Sequence, residues 1–217
     1  MLTKTSRRDI IYALYITFMV LVNTIGTKII SLGGVRVSVG IFFMPVLFVA
    51  TDIVGEVYGE KETRTFVHIS IAMLVILVIM MNICIAIPPN ENWPYQEQYR
   101  LIFSSSSRMT IASLVSFAVS QSMDVRLFAL IKRITGEGKL WIRNNIATIV
   151  CQFLDTVLFE FIAFYKLTPK YTVSFLFTLI IPYWSFKVLF ALLDTPLCYL
   201  GVKWLKNGRE KAPDTGR

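Results

Sequence analysis

The chain of 217 residues is 55% hydrophobic and only 17% charged, with 22 Lys+Arg against 14 Asp+Glu and a formal net charge of +8. An ordinary soluble domain carries roughly 25% charged residues, so this composition, with a mean hydropathy of +0.61, excludes a soluble globule. Eight Pro and 11 Gly without a short repeat exclude a disordered or collagen-like chain.

A helix that crosses a bilayer needs about 20 mostly apolar residues. Six such runs stand between charged or Pro/Gly-containing breaks: residues 10–27, 37–58, 66–87, 109–131, 146–165 and 173–202. The expected fold is an all-α membrane protein, a bundle of six transmembrane helices over residues 1–206 with a short polar tail at 207–217.

The first run follows Arg7 and Arg8 but has no small-x-small cleavage pattern and continues through Asn23 and Lys28, so a retained helix is expected rather than a signal peptide. The one long connection is 88–108, and its serine run 104–107 is expected to cap the helix that follows. The last run is long enough to bend, with Pro182 as the candidate kink. Cys84, Cys151 and Cys198 lie inside apolar runs and read as buried thiols rather than a disulfide framework.

Orientation follows from where the basic residues fall. Fourteen Lys/Arg lie on the side of the N-terminus, the second and fourth loops and the tail, and five on the other side, so both termini are expected in the cytoplasm. The positive balance is thus a topology signal with some attraction to anionic lipid, and no direct nucleic-acid partner is expected.

A charge at mid-bilayer costs about 2.5 to 3.5 kcal/mol, so intramembrane charges should face one another or a wet cavity. Asp52, Asp124, Asp155 and Asp194 lie six to ten residues in from the cytoplasmic ends of four spans. At 1.5 Å rise per residue that is roughly 9 to 15 Å deep, one layer of carboxylates. Each acid belongs to a polar stripe at helical spacing: Asp52 with Glu56; Ser113, Ser116, Ser120 and Gln121 with Asp124; Asn145, Thr148 and Gln152 with Asp155; Trp184 and Lys187 with Asp194. Gln121-x-x-Asp124-x-x-x-Phe128 returns as Gln152-x-x-Asp155-x-x-x-Phe159, in the manner of a repeat-related transporter site.

The candidate substrate-binding residues are therefore Asn23, Asp52, Glu56, Gln121, Asp124, Asn145, Gln152, Asp155, Trp184, Lys187 and Asp194. Glu160 reads as an outer gate or a cap on the pocket. No catalytic residue, cofactor or metal set is expected, since H-E-x-x-H, G-x-S-x-G and G-x-x-x-x-G-K-[ST] are all missing from the chain.

The segment Thr51-Asp52-Ile53-Val54-Gly55-Glu56-Val57-Tyr58-Gly59, then Gln121-Ser122-Met123-Asp124-Val125, then Arg143-Asn144-Asn145 leading to Gln152-Phe153-Leu154-Asp155-Thr156, resembles the queuosine precursor transporter family, formerly described as vitamin uptake transporters. Cys151 departs from the Ser expected there. The resemblance implies a non-enzymatic, multi-pass protein of the bacterial inner membrane that imports 7-cyano-7-deazaguanine or 7-aminomethyl-7-deazaguanine. Its partners would be that base and the lipid bilayer, with homodimerisation left open and proton coupling suggested by the excess of intramembrane acids. The rival expectation is a substrate-capture subunit like those of energy-coupling-factor vitamin importers, which would need ATPase partners. A hydrolase using paired aspartates fares worse, lacking any other catalytic motif.

Overall fold

A computed structural model describes residues 3–135, 140–193 and 195–207, and the side chains within them except at positions 4, 60, 121, 124–126, 128–129, 131–135, 140–148, 191–193 and 195. These residues form helices α1 (Lys4–Ile25), α2 (Met44–Tyr58), α3 (Glu60–Ala86), α4 (Gln96–Thr135), α5 (Leu140–Phe164), α6 (Val173–Leu193) and α7 (Thr195–Lys206). A hairpin of β1 (Ile29–Leu32) and β2 (Val35–Ser38) follows α1. Among the described residues, five helical stretches are long and apolar enough to cross a membrane: Thr5–Ile25, Val39–Tyr58, Lys61–Ala86, Gln96–Ser120 and Val173–Phe190.

The packing is that of a protein dissolved in lipid. On α3, Phe66, Ser70, Leu74 and Met81 form a narrow buried stripe, while Val75, Ile76, Ile79, Met80 and Ile83 are exposed. A bilayer accepts such an apolar outer face, and backbone groups are satisfied within each helix. The buried seams instead carry small and hydroxylated residues, which let helices approach closely. On α4 these are Ser106, Ser107, Thr110, Ala112, Ser116 and Ser120.

Helix α1 starts at Thr3, whose Oγ1 accepts the Ser6 amide at 3.1 Å and satisfies a first-turn donor. It ends at Gly26 against α4, where Ser106 Oγ donates to the Thr24 carbonyl at 2.6 Å and a Cβ on Gly26 would lie 2.7 Å from Met109 Cε. The serine run 104–107 is therefore not a helix cap, as expected from its sequence. It lies inside α4, with Asn82 Nδ2 of α3 donating to Ser107 Oγ at 2.8 Å, so these hydroxyls fasten α4 to both neighbours.

The all-α expectation also needs correction at the hairpin. Gly33 and Gly34, at φ +56° and +85°, make the two-residue turn that pairs Leu32 with Val35 and Ile29 with Ser38. Ser38 Oγ donates back to the Gly26 carbonyl and accepts from the Gly40 amide, so the hairpin is tied to the end of α1.

Along the long last run the described residues form α6 and α7 on either side of Asp194, which lies outside the described residues, and Pro182 sits inside α6 without ending it. At the other end of α1, Arg7 donates to the Trp204 carbonyl of α7 and its guanidinium lies 5.1 Å from the Trp204 ring. Tyr12 donates to Glu62 of α3 at 2.8 Å. The start of α1, the start of α3 and the end of α7 thus meet at one end of the bundle. No disulfide links the cysteines, but only Cys151 is buried; Cys84 is exposed on the lipid-facing side of α3, contrary to the sequence expectation.

Candidate functional site

A polar seam lies between α5 and α6, antiparallel neighbours joined by a short connection. On α5, Cys151, Thr156, Phe159, Glu160, Ala163 and Phe164 are buried at the spacing of one helical face. Facing them on α6 are Leu176, Leu179, Ile180, Tyr183 and Lys187. Lys187 Nζ donates to Asp155 Oδ2 at 2.8 Å, with the lysine side chain 8% exposed. The same ammonium lies 5.5 Å from the Tyr183 ring centroid, a cation–π contact that further shields it.

Around this ion pair several polar atoms are buried without a partner. Gln152 Oε1, one turn before Asp155, is one, and Glu160 Oε2 and the Tyr183 hydroxyl are two more. On α1, Asn23 donates its amide to the Met19 carbonyl at 2.8 Å and leaves Oδ1 buried and unmatched. Each unmatched buried group costs roughly 1–3 kcal/mol, so a fold that retains several of them stores binding capacity for something else. Two of them, Gln152 Oε1 and Asn23 Oδ1, are amide oxygens, which suit a ligand rich in N–H donors.

Asp52 and Glu56 lie elsewhere in the bundle. They are exposed residues of α2 lining an open cleft of about 1420 Å³, which Lys203 and Lys206 of α7 and the following Asn207 also line. Asp155, Gln152 and Lys187 do not line it. Trp184 is half-buried on the flank of α5; its indole N–H donates to the Ile149 carbonyl at 3.3 Å and its ring meets Phe153 edge-on at 5.5 Å. Gln121, Asp124 and Asn145 belong to α4 and α5, but their side chains lie outside the described set, and Asp194 lies outside the described residues altogether.

Sequence reasoning left Glu160 at the margin, yet it is 1% exposed and central to the seam. The signal was present, since Glu160 follows Gln152 by eight residues and so shares its face. Arg108 was read only as a charge in an outer loop. It instead lies on α4 and donates to the carbonyls of Ile162 and Tyr165, both at 2.6 Å, which neutralises the end of α5 where helical carbonyls have no internal partner. Among the described residues no group of three or more His, Cys, Asp or Glu is disposed to hold a metal ion.

Comparison with known proteins follows this geometry. The chain is 29% identical over 181 residues to a protein of Bacillus subtilis (strain 168) named "Probable queuosine precursor transporter", covering 83% of this chain and 78% of that one. It is 21% identical over 163 residues to the "Queuosine precursor transporter" of Escherichia coli (strain K12), covering 75% and 71%. No solved structure matches it. Residues 38–201 match the model of one family, and that match takes in α2 to α6, both Lys187 and Asp155, and most of α7. With its apolar, lipid-adapted helices, the chain is a multi-pass membrane protein and belongs to the family described as "Putative vitamin uptake transporter".

Proposed function

We propose that the protein imports queuosine precursors, 7-cyano-7-deazaguanine or 7-aminomethyl-7-deazaguanine, across the bacterial inner membrane. The observation that carries this reading is the unmatched Gln152 Oε1 beside the buried Lys187–Asp155 pair. A guanine-like edge offers adjacent N–H donors and a carbonyl acceptor. Gln152 and Asp155 accept the donors, and Lys187 donates to the carbonyl. Phe159 or Trp184 stacks the ring, a contact worth about 1–3 kcal/mol per base in other base-binding proteins. An analogue without the N–H groups would leave these buried oxygens unmatched and be rejected. The names of the two relatives support the substrate class.

In this reading α5 is the sixth crossing and both termini are cytoplasmic. The base passes by alternating access between the α5–α6 seam and the cleft at Asp52 and Glu56, with Asn23, Gln121, Asp124, Asn145 and Asp194 completing the polar path. Import is coupled to protons. A substrate-capture subunit that waits for ATPase partners is the less favoured reading, because the relatives are named transporters in their own right. The test is to express the protein in cells unable to make or import 7-deazaguanines, supply each base, and measure queuosine in tRNA. Restored modification supports the assignment, and none with either base refutes it.

A further inference from the structure

The α5–α6 seam sets two carboxylates against one ammonium. Lys187 is bonded to Asp155 at 2.8 Å. Glu160, five residues farther along α5, is 1% exposed, with Oε2 unmatched. Tyr183, one turn before Lys187 on α6, feels the charge of both acids and has a buried hydroxyl without a partner.

Among the described side chains, the groups near Glu160 give it no cation of its own. On α6 these are Tyr183 and Lys187, the latter already paired. On α5 there is Asp155, itself bonded to Lys187. Helix α4 brings the hydroxyls of Thr110, Ser116 and Ser120, while its Arg108 is bonded to the carbonyls of Ile162 and Tyr165. Asn23 of α1 contributes an amide only. Asp124 and Arg126 on α4 are outside the described side chains. An ionised carboxylate buried without a partner carries a penalty of several kcal/mol, which one bound proton removes. Asp155, by contrast, has a cation bonded to it in Lys187.

We propose that Glu160 carries the coupled proton. Resting on the import reading above, the inference divides the labour of the seam: Gln152, Asp155 and Lys187 hold the base, and Glu160 takes up and releases the ion. From the outer side the carboxylate accepts a proton from water, forming one O–H bond and becoming neutral in its apolar setting. Once the seam opens inward, that bond breaks and the proton passes to cytoplasmic water, leaving the carboxylate to be recharged.

The test uses purified protein in proteoliposomes, labelled 7-cyano-7-deazaguanine and a pH dye in the lumen. A gradient of about one pH unit, alkaline inside, is worth 1.36 kcal/mol per proton and drives about tenfold accumulation at one proton per base. Wild type should accumulate the base with matching lumen acidification. Glu160→Gln, which keeps the shape of the side chain, should lose both while exchanging external for internal base at close to the wild-type rate. That exchange shows that the variant is folded and still binds. Glu160→Asp should regain part of the accumulation. The inference is overturned if Glu160→Gln still concentrates the base, if its exchange is lost while it still folds, or if wild-type uptake moves no protons. If the wild type binds and moves neither 7-deazaguanine, the import reading itself has failed, a result separable from an uncoupled but active carrier.

Discussion

Lys187 of α6 and Asp155 of α5 form a part-buried ion pair at 2.8 Å across the α5–α6 seam. Removing one partner strands the other charge in a poorly solvated site, at a cost of about 3–5 kcal/mol, whereas replacing both removes the charges together. Lys187→Met alone should therefore lower the melting temperature of the detergent-solubilised protein sharply, and Lys187→Met with Asp155→Asn should recover most of the loss. Equal destabilisation by single and double variants would show that the pair is not energetically coupled. Neither version should import base, because each alters at least one member of the recognition set.

Arg108 should behave in the opposite manner, as a residue of stability rather than transport. Its two charge-assisted bonds to Ile162 and Tyr165 are each worth about 1.5–3 kcal/mol at most. Arg108→Gln keeps some donor capacity and should lower thermal stability measurably while sparing affinity for the base. A large affinity change with unaltered melting would contradict this assignment.

The crossing of α2 and α7 depends on Gly201. A Cβ there would fall 2.1 Å from Ile53 Cδ1, well inside contact distance. Gly201→Ala should destabilise by about 1–3 kcal/mol through overpacking. Ile53→Ala, which deletes both that methyl and Cγ1 at 2.8 Å, should relieve the clash in the double variant. Thermal melts of the four proteins in the cycle check this, and additive effects would refute the contact.

Asp52 and Glu56 face the open cleft with Lys203 and Lys206. Substitutions at exposed positions usually change stability by less than about 0.5 kcal/mol. Glu56→Gln should therefore leave melting unchanged and, if the cleft is the inward path, slow uptake in proteoliposomes. Unchanged uptake in both Asp52→Asn and Glu56→Gln would remove the cleft from the route.

Hydropathy alone was enough to read the membrane setting, because burying 20 apolar residues in lipid is a local property of each run. Helical spacing likewise marked the inward face of α5, where Gln152 and Asp155 lie on the seam. Local chemistry was misread in two places. Gly33-Gly34 between β-branched residues is a hairpin signal that the search for long apolar runs passed over. The serine run 104–107 looked like a cap because Ser favours helix starts, but between helices its hydroxyls make stronger use of the buried seam.

The chain's own pattern determined that it lives in a bilayer and that Gln152 and Asp155 share a face of α5. Only tertiary packing decided that Lys187 meets Asp155, that Glu160 is enclosed without a cation of its own, that Arg108 closes the end of α5, and that Asp52 and Glu56 open onto a separate cleft. The reason is geometric. Periodicity within a helix sets the direction of a side chain, but which charge it encounters depends on the height and rotation of the neighbouring helix, and those follow from the fit of small residues such as Gly26, Gly201 and Ser106 at the crossings.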